Sequence, residues 1–310
     1  MDGLILLDKP AGPTSHDVVA AVRRAAGPSR VGHTGTLDPF ATGLLVLLLG
    51  RATRLAPYVP HAPKSYTGSL RLGLTTTTDD LTGEILSRSG GWLRDPERVR
   101  AAASSLVGTS WQVPPAVSAK RVGGQRLYRA SRRGVTLVAP PARIEVERFE
   151  VEPTDDPDVW TFEAIVSSGT FVRGLVRDLG ASIGCGAAVA TLRRTRIGPF
   201  DVAAALDGRL VHESPGVVAS RLVPLDVLPL AGASVTLDDE QAAAFRHGRT
   251  LAGAAGETPD GIVAVRSRLG ELLGMAVATS GTLTPRMVLA RAETVDGRSG
   301  AVISSARSTS

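Results

Sequence analysis

Six consecutive apolar residues, Leu44 to Leu49, stand between Gly43 and Gly50. A run this short, fenced by glycines, reads as a strand buried inside a core. Whatever else the chain does, it must wrap other elements around that strand. Ser65 to Leu72 alternates about Tyr66, Leu70 and Leu72 and reads as a second strand. Arg143 to Val151 and Trp160 to Ser167 alternate as a further pair. Two helices complete the pattern. Asp95-Pro96-Glu97 opens one that runs through Ser105, with Asp as N-cap and Pro in the first turn. Thr170 to Ile183 spaces Phe171, Leu175, Val176, Leu179 and Ile183 as one face of another. Strands and helices mix without a βαβ period or an internal repeat, which predicts an α+β fold.

The chain has 310 residues, 43% of them hydrophobic and 21% charged. That is room for one large domain or two ordinary ones at ~150 residues each, and it excludes wholesale disorder. Composition shifts near Pro224 to Pro229. Beyond it come short apolar strings, Gly261 to Val265, Leu272 to Ala278 and Met287 to Ala290, which predict a small β-rich module. The expected division is a first domain over 1–228, a second over 229–297, and a flexible tail over 298–310.

Several function classes fall away on composition. Cys185 is the sole cysteine, so there is no intramolecular disulfide framework and no Cys-rich zinc site. His16, His61, His212 and His247 are scattered without ligand spacing, and no metal is expected. No nucleotide or flavin motif appears, and no cofactor is expected. Met1 to Lys9 carries Asp2 where a secretion signal wants cations, and the longest apolar run is far below the ~20 residues that span a bilayer. The expectation is a cytoplasmic protein away from membranes.

Charge points toward an anionic partner. The formal net charge is +5, and with Lys only at positions 9, 64 and 120 the cations are overwhelmingly Arg. Arg is the better reader of phosphate because its donors form a planar fork. Pro114 to Pro141 holds Lys120, Arg121, Arg126, Arg129, Arg132 and Arg133 around Tyr128, with no acid before Glu145. Two readings of this stretch stand open: a solvated loop containing a helix, or an arm that grips nucleic acid by phosphate contact and stacking.

The most unusual segment is Gly32-His33-Thr34-Gly35-Thr36-Leu37-Asp38-Pro39. It lacks the Gly-Lys-Ser/Thr ending of a Walker loop. Asp38-Pro39 either caps a short helix, as Asp95-Pro96 does, or holds a carboxylate on a glycine loop as nucleophile or base. Residues 32–43 resemble the catalytic motif of the bacterial pseudouridine synthases that modify uridine 55 in the T loop of tRNA, the TruB family. The resemblance extends in order along the chain. Leu7-Asp8-Lys9-Pro10 and Thr14-Ser15-His16-Asp17 resemble the family's opening segment. Lys64-Ser65-Tyr66 matches its Lys-x-Tyr strand, and Pro114 through Tyr128 its RNA-gripping insertion. Ser168 to Arg173 with Asp178-Leu179-Gly180 matches its arginine motif, and Leu192-Arg193-Arg194 the strand that closes its pocket.

This resemblance implies a mostly antiparallel sheet with flanking helices around an RNA cleft, followed by a PUA-like module that touches the acceptor side of the tRNA. It implies a monomeric isomerase that flips a uridine out of the T loop, breaks its C1′–N1 bond and rejoins the base through C5. Asp38 would be the catalytic carboxylate. Arg173 would pair with it, Tyr66 would stack on the base, and Leu192 would line the pocket floor. His33 would enter the gap left by the base. Lys64, Lys120, Arg121, Arg126, Tyr128, Arg129, Arg132 and Arg133 would hold the RNA. The chain departs from the family pattern at Thr77, which replaces an acid, and at Phe171, which stands where Tyr is common. Two alternatives remain on the sequence: a tRNA-folding assistant without catalysis, and a synthase of the same family with another RNA target. The basic insertion favours the stand-alone type over guide-directed members.

Overall fold

The computed structural model describes residues 1–27, 29–118, 120–122, 125–126, 139–211 and 216–289. The chain divides into two compact units, Met1–Pro229 and Leu230–Ser310.

The first unit is built on one large, mostly antiparallel sheet. Its strands are β1 (Gly3–Lys9), β2 (Val31–His33), β3 (Thr42–Leu49), β4 (Lys64–Leu72), β7 (Gly108–Gln112), β10 (Ala142–Pro153), β11 (Val159–Val166), β12 (Ala187–Ile197), β13 (Phe200–Asp201) and β14 (Leu206–Asp207). The path across the sheet is β14-β1-β3-β12-β4-β11-β10-β7, with β2 on β3 and β13 on β12. Only β1–β14 and β3–β12 run parallel. A side hairpin pairs β5 (Leu74–Thr76) with β6 (Ile85–Arg88), and a second pairs β8 (Arg121–Val122) with β9 (Gln125–Arg126).

The apolar run forms β3, and Leu44 to Leu49 are all essentially inaccessible to solvent. Its alternate residues feed different cores. Leu45, Leu47 and Leu49 pack with Val18 and Val22 of α1 (Ser15–Ala25), while Leu44 and Val46 pack with Ile197. A capping box starts α1: Thr14 Oγ1 accepts from Asp17 N, and Asp17 Oδ2 accepts from Thr14 N. The larger core gathers Tyr66, Leu70 and Leu72 of β4, Phe149 and Phe162 of the β10–β11 pair, and Leu175, Val176 and Leu179 of α3 (Val172–Ile183). α2 (Pro96–Ser104) begins as its sequence predicts, with Asp95 accepting from Glu97 N. α3 ends at Gly184, whose φ of 87° is the left-handed conformation that favours glycine.

The second unit is a four-stranded sheet, β15 (Ser234–Leu237), β16 (Gly261–Ser267), β17 (Leu272–Thr279) and β18 (Thr282–Val288), with the helix Asp239–Arg246 packed on it. The last strand begins five residues earlier than the apolar string Met287 to Ala290 suggests. Pro285 and Arg286 hide it from periodicity. β18 lies at the end of the sheet beside β17, and an edge strand tolerates proline.

Candidate active site

The glycine loop brings Asp38 to an arginine 135 residues away in sequence. Arg173 Nε donates to Asp38 Oδ2 at 2.8 Å, and Nη2 donates to Oδ1 at 3.0 Å. This is the two-point carboxylate–guanidinium geometry that fixes distance and plane together. Asp38 therefore caps no helix; its carboxylate is taken up by Arg173, and residues 39–41 form only a turn. The pair is asymmetric in exposure. The Arg173 side chain is 4% exposed and that of Asp38 is 32% exposed, so the carboxylate stands at the rim and the cation beneath it.

Arg173 has no slack. Nη1 also donates to the Thr78 carbonyl at 2.5 Å, and Nη2 to the Val117 carbonyl at 2.9 Å. A second carboxylate, Asp80, lies 3.6 Å from Nη1 and is 5% exposed. Asp80 Oδ1 accepts from Thr78 Oγ1, Thr82 N and Thr82 Oγ1. One guanidinium thus sits between two carboxylates, the nearer at the rim and the farther buried. One helical turn on, Arg177 repeats the pattern. It pairs with Asp79 at 3.1 Å and with Asp178 at 2.9 Å, and it donates to the Val113 carbonyl. Asp79 has φ of 60°, a conformation Asp tolerates better than most residues. Burial pushes its carboxyl up, against the attraction of Arg177 and Arg173.

The N-terminus of α3, which carries Arg173, is held by a neighbour. Phe171 has no capping side chain of its own, but Gln112 Oε1 accepts from Phe171 N at 2.9 Å and Gln112 Nε2 donates to the Phe171 carbonyl at 3.1 Å. Gln112 ends β7, immediately before the basic insertion. The root of the insertion is therefore tied to the arginine helix at three points: Gln112, Val113 and Val117.

The loop itself is fastened from below. Ser15 Oγ accepts from Leu37 N and donates to the Leu37 carbonyl. Lys9, fully buried, donates to the carbonyls of Pro10, Pro13 and Pro39 at 2.8, 2.9 and 3.1 Å. Burial pulls Lys9 down to about 8, and the nearby Asp38 charge opposes that fall. Arg194 is also buried and donates to the carbonyls of Gly35, Thr36 and Leu44. Sequence patterning misses Lys9 and Arg194 as site residues, because a cation beside a strand reads as a surface group. The one signal for Lys9 is its rarity as one of three lysines, set at the end of an apolar run.

Tyr66 is 7% exposed on β4 and shares the larger core with Leu37, Ala41 and Leu192. Across β4–β12, Tyr66 pairs with Arg194 and Gly68 with Leu192. Lys64 lies two residues before Tyr66 and donates to Ser168 Oγ at 3.1 Å, joining the Lys-x-Tyr strand to the arginine motif. Burial and the Arg194 charge pull Lys64 down to about 8. His33 is half-buried at the end of β2, with the His16 ring edge-on at 5.8 Å. Thr34, His61, Lys64 and Ser168 join it around a cavity of about 150 Å³. Thr77 holds the side hairpin closed, its Oγ1 accepting from Glu84 N.

Of the proposed RNA-gripping residues, Lys120 is half-buried, and Arg121 and Arg126 are backbone partners in the β8–β9 pair. Tyr128, Arg129, Arg132 and Arg133 lie outside the described residues. Among the described residues, no group of three or more His, Cys, Asp or Glu side chains could hold a metal ion. None of the helices there is long and apolar enough to cross a membrane.

Comparison with known proteins identifies the family of the chain. In solved structures the chain resembles a Cbf5–Nop10–Gar1 complex component, at 25% identity, with a TM-score of 0.69 over 94% of this chain and 85% of that one. It resembles equally the chain of an H/ACA ribonucleoprotein bound to a substrate RNA, at 24% identity and a TM-score of 0.69, over 94% of this chain and 86% of that one. Among curated proteins, the tRNA pseudouridine synthase B of Thermobifida fusca is 42% identical over 302 residues, covering 93% of this chain and 99% of that relative. Its counterpart in Leifsonia xyli is 43% identical, covering 88% of this chain and 91% of that relative. Residues 23–172 match the N-terminal domain of the TruB family pseudouridylate synthases, residues 173–213 the tRNA pseudouridylate synthase B C-terminal domain, and residues 233–289 the C-terminal region of pseudouridine synthase II TruB. With matches spanning both units and relatives above 40% identical along almost their whole length, the chain belongs to the TruB family of pseudouridine synthases.

Proposed function

We propose that this protein isomerises the uridine at position 55 of the tRNA T loop to pseudouridine. The observation that carries the reading is the rim carboxylate of Asp38, held at two points by a buried Arg173. A protein that only binds RNA has no use for a fixed carboxylate facing an anionic ligand, where it costs affinity. A synthase needs one.

The reaction keeps every atom of the base except one proton. The C1′–N1 bond breaks, the uracil turns, a C1′–C5 bond forms, and the hydrogen at C5 leaves as a proton while N1 gains one. Asp38 starts the sequence as a carboxylate, either by adding to C1′ or by taking the ribose 2′ proton. Arg173 orients it through two parallel hydrogen bonds, as a guanidinium fork does. Asp80, 3.6 Å from the same guanidinium, takes up part of its charge, so that Arg173 orients Asp38 without quenching it. Tyr66 supplies a flat face for the extruded base, and Leu192 a floor beneath it. Extrusion costs a few kcal/mol of stacking. His33, at the mouth of the loop, fills the space the base leaves. The phosphates of the T arm lie against Lys64 and the basic insertion with Lys120, Arg121, Arg126, Arg129, Arg132 and Arg133, while Tyr128 stacks on an exposed base. The enzyme acts as a cytoplasmic monomer without cofactor.

The test is product mapping on an unmodified tRNA transcript. The expected outcome is one pseudouridine, in the T loop. Pseudouridine only at other positions would keep the chemistry and overturn the substrate assignment.

A further inference from the structure

Among the described residues, three cations lie buried under the candidate site: Lys9, Arg173 and Arg194, with 0%, 3% and 1% of their surface exposed. Arg173 faces carboxylates. Arg194 does not: among the described residues, no carboxylate oxygen comes within 4.0 Å of it. A buried guanidinium with neutral partners is stable only if its donors are well satisfied. Arg194 meets that condition entirely with backbone. Nε donates to the Leu44 carbonyl at 2.8 Å, Nη1 to Thr36 at 3.2 Å, and Nη2 to Gly35 at 3.1 Å.

Those three carbonyls sit on both sides of Asp38. Gly35 and Thr36 lead into it, and Leu44 lies on the strand that follows. The anchor beneath is rigid. Arg194 sits in β12 between two strands, opposite Gly43 of β3 and Tyr66 of β4. The approach of β3 is so close that a Cβ at Gly43 would collide with the Arg194 carbonyl, and Gly43 has φ of 104°. Lys9 takes the far flank of the loop through the Pro39 carbonyl, and Ser15 takes its middle at Leu37. The segment from Gly35 to Pro39 is thereby tied at each side of its carboxylate.

We propose that Arg194 is a positioning residue: through the carbonyls of Gly35, Thr36 and Leu44 it sets where Asp38 stands relative to the substrate ribose. The proposal rests on the reading of Asp38 as the reacting carboxylate. An apolar side chain at 194 takes the guanidinium donors away from all three carbonyls, of which that of Leu44 is buried. A lysine keeps the charge but offers one nitrogen where the loop needs a planar fork. Shifts of about 1 Å in a reacting group can cost about 100-fold in rate. The effect therefore falls on the chemical step and not on RNA affinity.

The experiment compares wild type, Arg194→Lys, Arg194→Met, Asp38→Asn and Arg100→Met as full-length proteins. Arg100 is a surface cation paired with Glu97 and Glu152, and serves as the control. Folding is checked by near-ultraviolet circular dichroism. Single-turnover rates are then measured at saturating enzyme, with tRNA affinity measured separately. The expected result is a rate lowered about 30-fold or more in Arg194→Lys and further in Arg194→Met, with affinity within about threefold of wild type and Arg100→Met unchanged. A folded Arg194→Lys whose rate stays within about threefold of wild type overturns the proposal. Loss of the fold in both Arg194 variants also overturns it, by assigning the residue to the core alone. Product formation by Asp38→Asn would instead sink the reading of Asp38, and that arm separates the two failures.

Discussion

The two units of this chain bury different things. The Met1–Pro229 unit hides Lys9, Arg173, Arg194 and Asp80 among its apolar residues. In the second unit, among the described residues, Ser267 is the sole buried polar side chain, and Phe245, Leu237, Val265 and Leu273 form an ordinary apolar core. Net charge separates them as well. Residues 230–310 carry eight Arg and eight acids, a sum of zero, so the whole excess of +5 lies in residues 1–229. Burying a charge is expensive and is tolerated where its geometry is needed. In the first unit, each buried cation among the described residues ends on the Asp38 loop or on Asp38 itself. The second unit shows what the same chain looks like without such a demand.

The largest effect should come from the centre of the first unit. Asp38→Asn should abolish product while leaving tRNA affinity within about tenfold, or ~1.4 kcal/mol. Arg173→Met strands a buried Asp80 and unpairs Asp38. It should cost ~3–5 kcal/mol of stability as well as activity, read by denaturant melts, because breaking a buried ion pair leaves charge uncompensated. By contrast, Phe245→Ala in the second unit should cost a similar ~3–5 kcal/mol there through cavity formation, with no change in the chemical step. A single-turnover rate that fell with it would erase the distinction between the units.

Smaller effects sharpen the same contrast. Replacing Arg126, Arg129, Arg132 and Arg133 with Ser should weaken tRNA binding and reduce its logarithmic salt slope, by about 0.7–0.9 for each phosphate left without its cation. Replacing Arg246 and Arg266 of the second unit should leave that slope unchanged. A salt titration of binding decides both. Lys64 gives a pH signature. Its proton is held only to about pH 8, so tRNA affinity should fall as pH rises through 8. Lys64→Arg, which stays charged, should remove that fall. Stability moves the other way. Lys9 and Lys64 are depressed to about 8 in the folded state from 10.5 in the unfolded chain. Between those values the unfolded chain binds more protons, so their contribution to stability rises with pH over that window. Melting midpoints of wild type and Lys64→Arg across about pH 8 to 10 would show it.

Much of the first unit was legible in the sequence because its signals are local. The six-residue apolar run, the Asp95-Pro96 cap and the helical spacing from Phe171 to Ile183 each declare an element by neighbouring residues. The segment from Gly32 to Gly43 marked the candidate site because glycines, a histidine and an acid rarely crowd one loop. Lys9 and Arg194 stayed hidden because their partners are backbone carbonyls from distant segments, which have no side-chain signature. The place of Asp80 beside Arg173 depends on a hairpin that docks on β12, where Leu81 N donates to the Val189 carbonyl. In the second unit, Pro285 and Arg286 masked an edge strand that backbone pairing supports without an apolar pattern.

We propose the Asp38–Arg173 pair as the reacting centre of a tRNA uridine isomerase. Release of the C5 hydrogen from a tRNA transcript labelled at uridine C5, measured side by side for wild type and Asp38→Asn, tests it most directly. Wild type alone should release it, one equivalent per tRNA, with the variant still binding. Release by both proteins, or by neither while tRNA binding is intact, would contradict it.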